Sequence, residues 1–341
     1  MKRNTCIELI KLALACFIAV GDFSRQLLPD STVAMLFFIL SGYFLVGSFV
    51  SGKYSDPWRF SLGRIKRIYP HYFAAFLVLF LYVGIRNGLN VFGLGASFLT
   101  SAPELLMLHG VGVFPGGLNY PLWQLSTLIA ASHILFALLQ WNKSMTVNVI
   151  CPVLALGVFT YLSGGHGFVV PKPWGVEFNF IYIPLLRAFG GVAMGMFLHD
   201  PVKRMLKHLE SSELKIMPVL VSASAVVLLA MFWFMRTSYA IVLPFAGLLI
   251  WSFYSKGLPA LLARLPLGAR EKLSLGIYLN HAVVGHVLLD NWHLFSGIKA
   301  PWGTAVYMAV VIVFSVVMTL IVDLLVKLAK KLFIKKQPVE A

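Results

Sequence analysis

Residues Trp58–Tyr72 read WRFSLGRIKRIYPHY and lie between two apolar runs long enough to cross a bilayer. Asp56 is placed to cap a helix and Pro57 to begin it: a carboxylate accepts the orphan N–H groups of a first turn, and proline has none to leave unpaired. On that helix Trp58, Leu62, Ile65, Ile68 and Tyr72 share one face and Arg59, Lys66 and Arg67 another, which predicts a helix lying in the membrane surface. Arg64 and Arg67 are three residues apart, so their guanidinium groups leave neighbouring turns and can grip one phosphate together. Such a pair suits a phosphorylated cofactor arriving from the cytoplasm. The alternative is that these are ordinary positive-inside charges.

The rest of the chain fits a membrane setting. Of its 341 residues 59% are hydrophobic and 12% charged, and the mean hydropathy is +0.83, far too apolar for a soluble domain. The formal charge of +15 does not point to nucleic acid, because the basic residues form short clusters between apolar runs and no basic domain. Cys6, Cys16 and Cys151 all fall in apolar runs, so neither a disulfide framework nor a CxxC metal site is on offer. Ala13-Leu14-Ala15-Cys16 faintly resembles a lipoprotein cleavage site, but Glu8 and Lys11 interrupt the preceding apolar stretch, and the segment is expected to be retained.

About twenty apolar residues cross the hydrocarbon core, which predicts spans near 6–24, 32–50, 70–86, 121–140, 147–163, 180–198, 217–235, 238–254, 273–290 and 303–326. The expected fold is thus an all-α integral membrane protein, a polytopic bundle of about ten transmembrane helices with an interfacial amphipathic helix. Of the 28 Lys and Arg, about 21 fall on the N-terminal side of the membrane and about five on the other, which predicts cytoplasmic termini. Residues 1–333 read as a single transmembrane domain and 334–341 as a cytoplasmic tail expected to fray. Leu89–Tyr120, rich in Gly and Pro, reads as an outer re-entrant or capping loop carrying Glu104 and His109, and Ser163–Asn179 as a second outer loop. Together they can roof a cavity.

An ionisable side chain at the bilayer centre costs about 2.5–3.5 kcal/mol on insertion scales, so each asks for a partner or a function. Lys11 can pair with Glu8 one turn away. Asp22 lies eleven positions further on, nearly the same face and roughly 16 Å along the axis, so the two are expected on one channel wall. Ser274, Tyr278, His281 and Gly285 follow one stripe, with Asn280 beside His281 near mid-membrane. Arg187, in IPLLRAFGG, needs a carboxylate or a bound anion nearby. His286 and Asp290 give HxxxD without the rest of the soluble acyl-transfer signature. No GxSxG elbow, HExxH, Walker loop or metal-ligand cluster is present.

Five segments together carry a resemblance. Ile7-Glu8-Leu9-Ile10-Lys11, Phe37 to Phe44 (FFILSGYF), Arg64 to Pro70 (RIKRIYP), Leu122 to Ser126 (LWQLS) and Ser274 to His281 (SLGIYLNH) resemble, in that order, the motifs of the membrane acyltransferase-3 family. The resemblance implies an integral inner-membrane O-acyltransferase of bacterial type, taking an acyl group, usually acetyl, from cytoplasmic acyl-CoA to a sugar of a surface polysaccharide or lipid-linked glycan. By position it assigns acyl-CoA binding to Lys11, Arg64 and Arg67, with Tyr69 in the same motif. Trp123, Ser126, Asn280 and Arg187 are candidates for positioning substrate. The family's first-span histidine, its catalytic base, falls on Asp22, and Lys11 stands where the family carries arginine, keeping the charge but not the bidentate fork. The Glu sometimes found after LWxLS is absent, since Thr127 and Leu128 follow Ser126.

General base catalysis is worth about 10² to 10⁴ in rate, so the Asp22 substitution matters. Either Asp22, made more basic by burial, or His281 takes the proton, or the chain is a non-catalytic relative that binds a partner enzyme or carries lipid-linked glycan. Acyl-CoA enters as a co-substrate, not as a resident cofactor. The expected partners are acyl-CoA, the glycan acceptor and membrane lipids, with no metal.

Overall fold

The computed structural model describes residues 4–24, 30–111, 117–163, 176–177, 181–235, 238–265, 270–290 and 302–334. Most of the loop expected over 163–179, the basic Lys2-Arg3 pair and the tail from 335 onward lie outside these. The described residues are overwhelmingly helical. In chain order they form α1 (Thr5–Ser24), α2 (Asp30–Val50), α3 (Pro57–Arg86), the short α4 (Val91–Thr100) and α5 (Ala102–Leu105), and α6 (Trp123–Trp141). A one-turn α7 (Lys143–Met145) runs through a π-helical turn, Thr146–Ile150, into α8 (Cys151–Ser163). Then come α9 (Ile183–Ser211), α10 (Met217–Phe234), α11 (Val242–Phe253), α12 (Gly257–Leu262), α13 (Arg270–Asp290) and α14 (Trp302–Ile334). A two-residue antiparallel pairing of Val176–Glu177 with Ile181–Tyr182 precedes α9.

Local chemistry sets the helix starts. Asp56 accepts a hydrogen bond from the Arg59 N–H at 2.8 Å with Pro57 in the first turn, as its sequence predicts. Asn4, Asn90 and Asn142 cap in the same way, accepting from the N–H groups of Ile7, Gly93 and Met145. The surface helix expected over Trp58–Tyr72 is not a separate element. It continues unbroken through Pro70 into the following apolar stretch as one 30-residue helix. A proline deletes one helical N–H, but membrane helices tolerate that loss without ending.

Among the described residues six helical stretches are long and apolar enough to cross a membrane: Thr32–Val50, Pro57–Arg86, Tyr120–Trp141, Lys143–Ser163, Met217–Phe234 and Trp302–Leu332. The expected number was about ten. The other predicted spans fall on α1, α9, α11 and α13. Helices α1, α9 and α13 have 20, 29 and 21 residues, but they hold the ionisable side chains, among them Lys11 and Asp22, Arg187, and Lys272 and His281. Helix α11 has only 12 residues. These helices pack within the bundle: α1 lies on α13, and α9 on α2. Helices α10 and α14 carry exposed apolar side chains such as Val226, Phe234, Val313 and Leu320, which suits lipid.

The α2–α9 seam is the tightest in the bundle. A Cβ on Gly195 would collide with the Ile39 carbonyl, one on Gly42 with the Val192 carbonyl, and one on Gly191 with Phe38, so a Gly-x-x-x-Gly stripe brings the two backbones together. Gly195→Ala is therefore expected to destabilise the protein by about 1–3 kcal/mol, seen as a lower unfolding midpoint in detergent. Gly157→Ala, with nothing within 4 Å of its added Cβ, should leave the midpoint level or raise it. Equal midpoints for the two variants would contradict this account of the seam.

Candidate active site

Two adjoining cavities open the bundle at the end that carries the start of α1 and the α2–α3 turn. The outer one, 590 Å³, is bordered by Glu8, Lys11, Lys53, Arg64 and Arg67, with aromatic walls from Phe44 and Phe60. The inner one, 320 Å³, shares Lys11, Phe37, Ser41, Arg67 and Leu128 with it, so the two lie end to end. The inner cavity adds His71, Gln124, Lys272 and Tyr278 to largely apolar walls.

The structure brings the predicted cations together at this opening. Arg64 donates to the Ser132 hydroxyl at 3.2 Å and its guanidinium lies 4.6 Å from the centre of the Phe60 ring, which fixes its direction. One turn on, Arg67 borders both cavities. Lys11 makes the expected ion pair with Glu8 at 2.9 Å and sits 5.5 Å from the Phe44 ring while still lining both spaces. Lys272 pairs with Asp323 of α14, and the His71 Nε2 lies 3.6 Å from the same carboxylate. His71, Gln124 and Lys272 were not singled out from sequence. For two of them a signal was available: His71 lies one turn after Arg67, and Gln124 is the variable position of LWQLS; Lys272 lies off the α13 stripe and gave none.

Asp22 and His281 meet. His281 is fully buried, and its Nε2 lies 2.8 Å from Asp22 Oδ2. The ring's Nδ1 faces the carbonyls of Tyr278 at 2.8 Å and Ile277 at 3.2 Å, so Nδ1 must carry hydrogen, because a carbonyl only accepts. A proton then lies between Nε2 and the carboxylate whichever atom holds it. The Tyr307 hydroxyl donates to the His281 carbonyl at 3.0 Å, and Phe23 stacks on the Tyr307 ring at 4.2 Å, so α1, α13 and α14 are locked around the pair. Neither Asp22 nor His281 borders either cavity. The single channel wall expected for Lys11 and Asp22 is therefore realised only at Lys11.

A second polar network holds α13 from the side. The Tyr72 hydroxyl donates to the Glu104 carbonyl at 2.6 Å, and the Glu104 carboxylate accepts from the N–H groups of Leu118 at 2.6 Å and Asn119 at 3.0 Å. The Asn119 amide then donates to the Leu279 carbonyl at 3.1 Å. A continuous set of hydrogen bonds thus runs from the basic helix α3 to the turn of α13 that carries His281. Burial pushes the Glu104 carboxyl up, against the two N–H bonds that favour its charge, and burial holds His109 down to about 4, so His109 is neutral near pH 7.

The remaining predicted residues lie outside both cavities. Tyr69 donates to the Leu105 carbonyl at 3.2 Å, away from both cavities. Trp123 packs on Phe38 with ring centres 6.3 Å apart, and the Ser126 hydroxyl lies 3.3 Å from the His109 Nδ1. The Asn280 amide donates to the Gly276 carbonyl at 2.8 Å. Arg187 is fully buried in α9 close to Tyr239. None of these four touches the cavities, although Gln124, Leu125 and Leu128, the neighbours of Trp123 and Ser126, do. Among the described residues no group of three or more His, Cys, Asp or Glu side chains is placed to hold a metal ion.

Fold and site define a helical membrane protein whose basic end opens into two adjoining cavities, the inner one largely apolar. A family model described as an acyltransferase domain matches residues 18–320, and the chain belongs to the acyltransferase-3 family of membrane proteins. It is also similar to Nodulation protein 10 of Rhizobium leguminosarum bv. viciae, 25% identical over 326 residues that cover 85% of this chain and 82% of that protein. No solved structure matches.

Proposed function

We propose that the protein is a membrane O-acyltransferase that moves an acyl group, acetyl first among candidates, from cytoplasmic acyl-CoA to a sugar hydroxyl of an extracytoplasmic polysaccharide or lipid-linked glycan. The observation that carries this reading is the grouping of Arg64, Arg67 and Lys11 at one opening that leads inward to α13, the helix of His281. In this reading α1, α9, α11 and α13 also span the bacterial inner membrane, completing a ten-helix bundle with cytoplasmic termini.

Each group has a task. The arginines take the donor's phosphates, which Arg does better than Lys because its planar fork matches the oxyanion. The pantetheine arm follows the apolar walls of Phe37, Leu125 and Leu128 inward. In this reading the carboxylate takes the acceptor's side and the imidazole backs it, which the exposures support: His281 is wholly enclosed while the Asp22 side chain keeps 10% of its surface. Asp22 draws the proton from the sugar hydroxyl as the oxygen attacks the thioester carbonyl. The C–S bond breaks, and the proton leaves with the thiolate as free thiol.

The second reading, a non-catalytic relative, draws on the same contact: a carboxylate closed onto a carbonyl-anchored histidine can serve as a structural clasp. Mass spectrometry of the cell's surface glycans, with and without the protein, decides between them. An O-acyl mass increment that depends on the protein is the expected result, and it should grow in the Asp22→His strain, which restores the family's base. Identical spectra in all three strains would favour the non-catalytic reading.

A further inference from the structure

The donor cavity stops short of the pair that would use the donor, and one side chain marks the boundary. Tyr278 borders the inner cavity, yet it is only 6% exposed. Its hydroxyl donates to the Pro121 carbonyl at 2.5 Å, which pins the ring across the gap between α13 and the turn before α6. Phe37 meets it from α2 with ring centres 6.4 Å apart. The His281 ring lies 6.0 Å away, one helical turn further on, fully enclosed and bordering neither cavity.

We propose that Tyr278 is a movable partition between the basic cavity and the Asp22–His281 pair, and that its ring must leave the Pro121 carbonyl before a molecule in the cavity can reach that pair. The ring is held by one neutral hydrogen bond, a tie of small net value that an entering polar group can replace. It is also anchored at both ends: Pro121 lies two residues after Asn119, whose backbone is held by Glu104, and Asn119 in turn holds the Leu279 carbonyl next to Tyr278. The resting position is therefore well defined although its last bond is weak. A closed partition keeps cytoplasmic water from the pair and keeps a bound thioester from being spent on water when no acceptor is present. The cavity's occupant, a coenzyme A thioester, rests on the reading above; the partition itself is tested without any coenzyme A.

In a background with Cys6, Cys16 and Cys151 replaced by serine, Asp22→Cys is treated with a membrane-impermeant methanethiosulfonate added from the basic side of oriented vesicles. Lys11→Cys, inside the cavity, serves as the accessible control. With Tyr278 intact, Asp22→Cys should react at least about tenfold more slowly than Lys11→Cys. Adding Tyr278→Ala should remove most of that difference, and Tyr278→Phe, which keeps the ring but loses the Pro121 bond, should fall between. Should the alanine variant fail to fold, the phenylalanine variant alone carries the test. Equal labelling of the two positions with Tyr278 intact, or a slow Asp22→Cys rate unchanged by either substitution, overturns the proposal. In the otherwise unaltered protein, Tyr278→Phe should also raise acyl-CoA hydrolysis without acceptor relative to glycan transfer. If the protein binds no coenzyme A, that last ratio cannot be formed and the donor reading fails, while the labelling result still decides the partition.

Discussion

His281→Gln is expected to reduce acyl transfer by about 10² to 10⁴, the range that a positioned general acid–base group supplies. Glutamine can still reach a neighbouring carbonyl, but it cannot share a proton with the carboxylate, so Asp22 loses the partner that orients it at 2.8 Å. Asp22→Asn should cost a similar factor, because an amide cannot accept the hydroxyl proton. The pair acts as a unit through a 2.8 Å contact, so the double variant should be scarcely worse than either single one. A product of the two single losses would mean that the residues act independently. The measurement is glycan acylation in membranes at saturating acyl-CoA, checked against thermal unfolding so that loss of fold is not scored as loss of chemistry.

Arg67→Ala is expected to act on the donor instead. Charge-assisted hydrogen bonds to a phosphate are worth about 1.5–3 kcal/mol, which corresponds to roughly 10- to 150-fold in affinity. The effect should appear as a raised KM for acyl-CoA with little change in kcat, the signature of binding lost equally from ground and transition states. Arg64→Lys should also fail to restore full affinity even though the charge is kept. Ser132 and the Phe60 ring hold the guanidinium in one direction, and an ammonium cannot reproduce a planar fork. An unchanged KM in both variants would return these arginines to the role of topology signals.

Features that depend on short sequence separations were legible from sequence. The Asp56 cap and the Lys11–Glu8 pair both appear as read, at 2.8 and 2.9 Å, because each lies within one helical turn. The surface helix was misread at its far end. Read as a separate element over Trp58–Tyr72, with the next span beginning near residue 70, it is instead the first half of one helix, Pro57–Arg86, and Trp58 and Leu62 of its expected apolar face are exposed. The helices that carry Lys11, Asp22, Arg187 and His281 were legible as apolar runs, interrupted by those polar side chains.

The site was legible only in pieces. Asp22 and His281 stood as rival bases because nothing local joins residues 259 positions apart; α1 packing on α13 brings them into contact. Lys272 and His71 were passed over for the same reason. Each looks like an ordinary flanking charge until α3, α13 and α14 converge on Asp323. The Tyr278 bond to Pro121 spans 157 positions, so no periodicity could reveal that the stripe's tyrosine closes the cavity.

The central claim is that the basic opening admits a nucleotide-bearing thioester. Titration calorimetry of acetyl-CoA into the purified protein in nanodiscs tests it most directly. Saturable binding that weakens at least about tenfold in Arg67→Ala and persists in His281→Gln is the predicted result. No detectable heat with any coenzyme A species, or binding indifferent to Arg67, would contradict it.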